Sequence, residues 1–453
     1  MPTIASARRM RTLYTRSMIR RGPSRRHTHL FRFQAIAGAA LCGLLIALIL
    51  VVVNRTADVD GDFAPAAGAW FGGAVNLDSE LDGDSAGNPA DVLTRQAQLC
   101  RKYDNLHYYL FGLAVDEAQL EDVRWAINAN ETPLVTVSWP QRMPANPDFI
   151  PQVAAGRYDR QIATTATRLA ELGGRVILRP YWEFNHADNG LGAANYGGDH
   201  GEFIRAWRRT HAIFFGNSAG WAAMGIRGAP VEANNVRFSW TPGSARPNNV
   251  VDGVTEDYRP YYPGDDYVDW IGIDSYTANR MVYFRDVFEP PTQLVDWYAT
   301  YAPRGKPMSI GEIGIQPQST YPSRSPTRPE WFAAAQTALK EMPLIKLFSY
   351  FDVSNNRNPL DESYQVDAPG GNGADSAERA LAAYATLAND PHFRHGNVTP
   401  SCNRAVGRPA SARQSAAPPR EPVSSEPDRS LRRTVRGRLA GAGGRDTGGG
   451  QFS

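Results

Sequence analysis

The sequence predicts an α/β protein whose body, residues 67 to 400, is a (β/α)₈ barrel, and three observations carry that reading. Eight short apolar runs with strand character recur along the body, and longer amphipathic stretches lie between them. The body is long enough for one such barrel, which takes roughly 250 to 400 residues. The first run, GAWFGGAVN, lacks the Gly-rich phosphate-loop spacing that usually follows the first strand of the alternative, a doubly wound open sheet.

The predicted strands are 68–75 (GAWFGGAV), 106–112 (LHYYLFG), 133–138 (PLVTVS), 175–180 (RVILRP), 236–241 (VRFSWT), 268–273 (VDWIGI), 307–311 (PMSIG) and 345–351 (IKLFSYF). Each is short, apolar and rich in β-branched or aromatic residues, as a strand covered on both faces requires. Helical periodicity marks 158–172, 202–215, 329–341 and 376–388 between and after them.

Composition narrows the class further. The 453 residues include 47 Phe, Trp and Tyr and are 42% apolar, too many for a disordered chain, and three cysteines are too few for a disulfide scaffold. The formal net charge of +2 conceals segregation: residues 1–32 carry nine Arg and no acid, and residues 403–453 carry ten Arg and four acids. The remaining body holds 29 basic and 42 acidic residues, a net of −13. Basic charge confined to two low-complexity ends argues against nucleic-acid binding, and an acidic body suits a neutral substrate better than a polyanion.

Five segments follow: an Arg-rich arm over 1–34, a membrane span over 35–53, a linker over 54–66, the barrel over 67–400 and a disordered basic tail over 401–453. The uncharged run AIAGAALCGLLIALILVVV would measure about 28 Å as a helix, enough for a hydrocarbon core of roughly 30 Å. The preceding arginines keep the arm in the cytoplasm and place the barrel outside the membrane, attached by a single pass. A cleaved signal peptide and secretion form the alternative, against which stand the length of the run and the lack of a small-residue cleavage site directly after it. In an oxidising compartment Cys100 and Cys402, at the two ends of the body, are candidates for a disulfide joining the first and last helices of a closed barrel; two buried free thiols are the other reading.

In a barrel of this kind chemistry sits at the C-terminal ends of the strands, so the polar residues after each apolar run are the informative ones. Strand 4 runs into RVILRPYWEFNH, which places Glu183 near Arg179, Tyr181, Trp182, Asn185 and His186. Strand 7, KPMSIGEIGI, carries Glu312 in an otherwise apolar run, where an unpartnered carboxylate is costly to bury. For either residue alone a strand-end acid paired with Arg for packing is the competing reading, and the two together make it much weaker. Together they suit glycoside hydrolysis, in which one carboxylic acid protonates the leaving oxygen and the other carboxylate attacks the anomeric carbon. Arg179 is expected near Glu312, and desolvation by Trp182 is expected to raise the pKa of Glu183. If extended structure continues past strand 4, period-2 alternation puts Arg179, Tyr181 and Glu183 on one side of the chain.

These motifs resemble the 4/7 superfamily of retaining glycosidases and, within it, glycoside hydrolase family 26, which contains β-mannanases, β-1,3-xylanases and lichenase-type glucanases. RPYWEFNH resembles the family's strand 4 motif Arg-Pro-Leu-His-Glu-Met-Asn, which implies an acid/base role for Glu183. PMSIGEIG is similar to its strand 7 and implies that Glu312 is the nucleophile. YYPGDDYVDWIGIDSY resembles the approach to strand 6, implying that Tyr276 hydrogen-bonds the nucleophile. VRFSWTPG is similar to strand 5, suggesting Trp240 as the floor of the central subsite. The resemblance spans about 67–395, and it departs from the family at Trp182, where the family has His before the acid/base.

Further candidates are weaker. Trp70, Trp139 and Tyr181 lie at or near predicted strand ends, where rings stack on sugars or simply pack the barrel. The acidic stretch from Asp78 is no EF-hand, since its twelfth position is Pro89. His186 with Asp188, and Asp199 with His200, lack a third metal ligand at sensible spacing, and no Ser nucleophile elbow is present. The sequence therefore leads to the expectation of a monomeric, membrane-anchored retaining glycoside hydrolase acting on a β-linked polysaccharide, mannan-like first, with Glu183 and Glu312 catalytic. Arg179, Trp182, Asn185, His186, Trp240, Tyr276 and Trp70 are expected to bind substrate, with no metal or cofactor. An inactive surface glycan-binding protein on the same scaffold is the competing class, and a β-1,3-xylanase or lichenase-type enzyme the nearer alternative.

Overall fold

The computed structural model describes residues 63–77, 88–138, 146–186, 190–247, 250, 253–277, 283–317, 326–353, 364–369 and 373–393. The predicted arm, the span at 35–53, the basic tail and Cys402 lie outside the described residues. Among the described residues no helix is long and apolar enough to cross a membrane.

Eight parallel strands close into a barrel in sequence order. They are β1 Trp70–Asn76, β2 Asn105–Phe111, β3 Thr132–Ser138, β4 Val176–Arg179, β5 Val236–Trp240, β6 Trp270–Tyr276, β7 Met308–Gly314 and β8 Ile345–Val353. Closure runs along the whole of β1, from Trp70 opposite Leu347 to Asn76 opposite Val353. Each predicted run overlaps one strand, because a strand buried on both faces is the one kind whose apolar character is continuous.

Around the strands lie α1 Pro89–Leu99, α2 Glu121–Asn128, α3 Phe149–Ala154, α4 Asp159–Glu171, α5 His200–Phe215, α6 Ser218–Ala223, α7 Trp297–Tyr301, α8 Arg328–Glu341 and α9 Ala377–Ala388. Their starts are written locally. Asn88, Ser376 and Thr327 accept backbone N–H groups of the first turn, and Thr327 with Glu330 forms a reciprocal capping box ahead of α8. The regular alternation weakens after β5, where the described residues before β6 hold helical Pro247 and Val250 and the short 3₁₀ turns Arg259–Tyr261 and Asp265–Tyr267. Pro242 and Pro263 lie in non-helical stretches there, while Pro247 and Pro260 take first-turn positions, where a missing N–H costs nothing.

Two layers of packing result. Leu134, Ile177, Trp270, Leu347 and Trp70 fill the barrel interior toward the N-terminal ends of the strands, with Trp70 and Trp270 stacked at 6.0 Å. The outward strand residues, such as Phe71, Leu178, Phe238, Ile271 and Phe348, join the helices in one large core. Above the apolar plug the interior turns polar, with Thr136, Arg179, Ser239, Asp274 and Glu312 all buried.

One irregularity aims a key side chain. Ile273 pairs with Ile310, but the next residue, Asp274, pairs with Glu312, so Gly311 is an extra residue in β7. Such a bulge shifts the alternation by one and turns the following side chain to the other face. Ile310 and Ile313 thus both belong to the outer core, while Glu312 meets Arg179 inside the barrel.

Candidate active site

β4 ends at Arg179, and the chain then leaves extended structure. The expected alternation past this point therefore fails. Tyr181 turns outward, buried against Phe203 and Trp207 with its hydroxyl 2.6 Å from Thr210 Oγ1. Glu183 reaches the barrel mouth by a left-handed backbone (φ 48°) rather than by strand alternation. Its amide donates to the Thr241 carbonyl at 3.1 Å, which ties the turn to the end of β5. A non-glycine residue in that region is uncommon and marks a position fixed by its surroundings.

The turn brings Glu183 to Glu312 and Asp274. One carboxylate oxygen from each of the three lies within 4.8 Å of the others. Arg179 binds two of them: Nη1 donates to Glu312 Oε1 at 3.0 Å, and Nη2 donates to Asp274 Oδ2. Tyr276, from the end of β6, donates from Oη to Glu312 Oε2 at 2.8 Å. Glu312 is thus held through both oxygens. Three carboxylates this close would also suit a divalent cation, but the guanidinium already bonds two of them and supplies the neutralising charge.

The electrostatics divide the acids. Burial, reinforced by the charge of Glu312 and opposed by Arg179, pushes the Glu183 carboxyl up to about 8. Burial also pushes Asp274 well above its ordinary value, against the pull of Arg179. Burial disfavours the charge of Arg179, but Asp274 and Glu312 outweigh that and hold its pKa above the ordinary arginine value. At neutral pH Glu183 is therefore a protonated acid.

Aromatic rings border this cluster. Trp182 meets Tyr109 edge to face at 5.8 Å, and its indole Nε1 is buried without a hydrogen-bond partner among the described residues. Phe351, near the end of β8, stands edge-on to Tyr276 at 5.7 Å and to Tyr109 at 6.5 Å. Tyr364 packs on Tyr276 at 4.7 Å.

Three of the expected substrate contacts are corrected. Trp70 belongs to the plug at the N-terminal end of the barrel, the rim opposite the carboxylates, because it opens β1 rather than ending it. Trp240 ends β5 but faces outward: it is fully buried against Phe184, Tyr258, Tyr262 and Tyr301 and offers no surface to a sugar. Asn185 is also fully buried and spends its amide within the protein, Nδ2 donating to the Gly243 and Glu256 carbonyls and Oδ1 accepting from the Gly243 amide. It joins the β4 turn to the β5 loop instead of meeting substrate.

His186 lies half-buried at the mouth, its backbone bridged to Thr255 and its ring against Gly243. A Cβ at Gly243 would fall 2.1 Å from His186 Nε2, so this close approach requires glycine. Asp199 caps α5 and pairs with Arg205, and His200 pairs with Glu256 at 3.5 Å. Trp139, Asp188 and the acidic stretch after Leu77 lie outside the described residues. Cys100 is disulfide-bonded, while its expected partner Cys402 lies outside them.

Sequence reasoning missed His107, Tyr109, Asp274 and Phe351. Asp274 carries the signal that marks Glu312, a single acid in an apolar strand. His107 and Tyr109 share one face of NLHYYLF by simple alternation.

The fold and the site together define a closed (β/α)₈ barrel with a carboxylate pair at the C-terminal ends of β4 and β7. Among solved structures of similar fold are the catalytic domain of a GH26 endo-β-1,4-mannanase from Bacillus sp. JAMB-750 (17% identity, 72% of this chain and 86% of that one, TM-score 0.48) and GH26C from Muricauda sp. MAR_2010_75 (16% identity, 72% and 87%, TM-score 0.49). A modular endo-β-1,4-mannanase from Cellulomonas fimi is similar at 17% identity over 75% and 74%, with a TM-score of 0.47. No protein-family model matches the chain, and no curated protein matches it by sequence.

Proposed function

We propose that the protein is a retaining β-glycoside hydrolase acting on a β-linked polysaccharide. The observation that carries this reading is geometric: a carboxyl oxygen of Glu183 lies within 4.8 Å of one of Glu312, itself gripped by Arg179 and Tyr276, and burial raises the pKa of Glu183. Retaining glycosidases hold their carboxyl groups about 5 to 5.5 Å apart, whereas inverting ones leave room for a water at roughly 6.5 to 9.5 Å.

In the first step the Glu312 carboxylate attacks the anomeric carbon while Glu183 gives its proton to the departing oxygen, forming a glycosyl ester on Glu312. In the second, Glu183, now ionised, takes a proton from water as that water attacks the same carbon, and Glu312 leaves as a carboxylate. Arg179 and Tyr276 stabilise the charge that Glu312 regains. Trp182, Tyr109 and Phe351 line the approach with rings, and the orphaned indole N–H of Trp182 suits a sugar hydroxyl.

The motif resemblance makes β-mannan the first substrate class, with β-1,3-xylan and mixed-linkage glucan next. An extracytoplasmic site anchored by the 35–53 segment is part of this reading, supported by the apolar run, its arginine-rich flank and the disulfide at Cys100.

The test is product analysis on those three polysaccharides, with the anomeric configuration of the first product followed by NMR. Turnover of one of them with retention is expected. Glu312→Ala should abolish it, and Glu183→Ala should spare substrates with activated leaving groups. Inversion, or wild-type rates from Glu312→Ala, would overturn the assignment, and glycan binding without turnover by the parent protein would favour the binding-protein class.

A further inference from the structure

His107 and Tyr109 project from β2 toward the catalytic carboxylates, and no bond or proton transfer of the double displacement described above uses the imidazole or the phenol hydroxyl. His107 is fully buried, with Nε2 2.7 Å from Thr136 Oγ1 and 3.3 Å from Arg179 Nη1. Its Nδ1 lies 3.5 Å from Tyr109 Oη, and the two rings overlap at 4.4 Å. Tyr109 also meets Phe351, the ring that packs on Tyr276, itself bonded to Glu312, and burial followed by the Glu312 charge raises the pKa of the Tyr109 phenol.

Two neutral tautomers are open to His107, and the Arg179 cation selects between them. A guanidinium can only donate, so the Arg179 N–H aimed at His107 Nε2 requires a lone pair there, and the Thr136 hydroxyl must donate to the same nitrogen. Burial, with the charge of Arg179 added, keeps the imidazole neutral, well below its ordinary pKa. The single ring proton is then on Nδ1, facing Tyr109 Oη. At 3.5 Å this contact is long, and its role is directional: an N–H facing the phenol oxygen turns the phenolic proton away from His107 and toward the other acceptor in reach, Glu312.

We propose that His107 is a positioning residue, fixed by Arg179 and Thr136 as its Nδ1–H tautomer, which aims the Tyr109 hydroxyl at Glu312 as a third donor beside Arg179 and Tyr276. The three donors come from β2, β4 and β6, so the carboxylate is held from several sides while it gains and loses its bond to the sugar. The part played by Glu312 rests on the function proposed above; the tautomer does not.

Two measurements on the full chain test this. With ¹⁵N-labelled histidine, the His107 resonances, assigned by their loss in His107→Asn, should show a protonated Nδ1 and a bare Nε2. A protonated Nε2, or an imidazolium, overturns the proposal whether or not any glycan is turned over.

In kinetics on the polysaccharide that the parent protein cleaves, Tyr109→Phe should lower kcat about tenfold with little change in KM, the loss of one hydrogen bond to a charged group. His107→Gln, whose amide reproduces Nε2 and not Nδ1, should do the same. His107→Asn, whose amide N–H stands where Nδ1–H does, should stay within a few-fold of the parent. The double variant His107→Gln with Tyr109→Phe should be no slower than Tyr109→Phe alone. Additive losses in the double variant, or equal losses in the Asn and Gln variants, would mean that His107 only fills space. Absence of turnover in the parent protein would sink the proposed function and leave the tautomer to decide this inference.

Discussion

Gly311 lies so close to Asp274 that a methyl group placed on it would fall 2.7 Å from Asp274 Oδ1, and 3.0 Å from Arg179 Nη1. The extra residue of β7 thus does two things: it turns Glu312 into the barrel, and it leaves the space that the Arg179–Asp274 pair fills.

Gly311→Ala should therefore damage activity more than stability. Overpacking of this kind costs about 1–3 kcal/mol, and the ion pair that must move also holds Glu312. A fall in kcat of at least about tenfold is expected on displacing that hydrogen-bonded pair, with a lowered but still cooperative thermal unfolding transition. Parent-like kcat and Tm would show that the pair has room to shift.

The pH dependence should carry the mark of Glu183. Its carboxyl stays protonated up to about 8, and only the protonated form can donate to a leaving oxygen, so kcat/KM should fall as pH rises through about 8. Stability has the same sign. The folded-state pKa lies above the ordinary value of 4.5, so the unfolded chain releases this proton first, and the stability falls between 4.5 and about 8. Glu183→Gln should remove the upper limb from its residual rate and be more stable than the parent above that range. An unchanged limb in the Gln variant would assign it to another group.

Arg95 joins α1 to β8. It is fully buried, with Nε 2.6 Å from Asp352 Oδ2 and Nη2 2.6 Å from Asp367 Oδ1, and Asp352 is itself fully buried. Arg95→Met leaves those carboxylates without their cation, and a loss of about 3–5 kcal/mol is expected. Adding Asp352→Leu should recover much of it, since an apolar pair of similar volume needs no desolvated charge. Urea unfolding of the three proteins decides this; a single variant as stable as the parent would show that Asp352 is not held as an ion.

The structure also separates what could be read from the chain and what could not. Glu312 stands out because a lone acid in PMSIGEIG has no cheap explanation, and Asp274 in WIGIDSY asks the same question. Trp70 and Trp240 mislead because an aromatic ring in a strand looks alike whether it faces the plug, the helices or the mouth. Asn185 misleads because its amide is spent on backbone groups of the β5 loop, partners far away in sequence.

The sequence by itself determined the eight strands, the caps of the helices and the two glutamates at the ends of β4 and β7, because apolar runs, capping residues and costly buried acids are local signals. Only the tertiary structure decided which side chains share the cavity. The left-handed turn at Glu183 and the extra residue at Gly311 each change which face a side chain takes. The donors that hold Glu312, Arg179 and Tyr276, come from β4 and β6, whose proximity exists only once the barrel has closed.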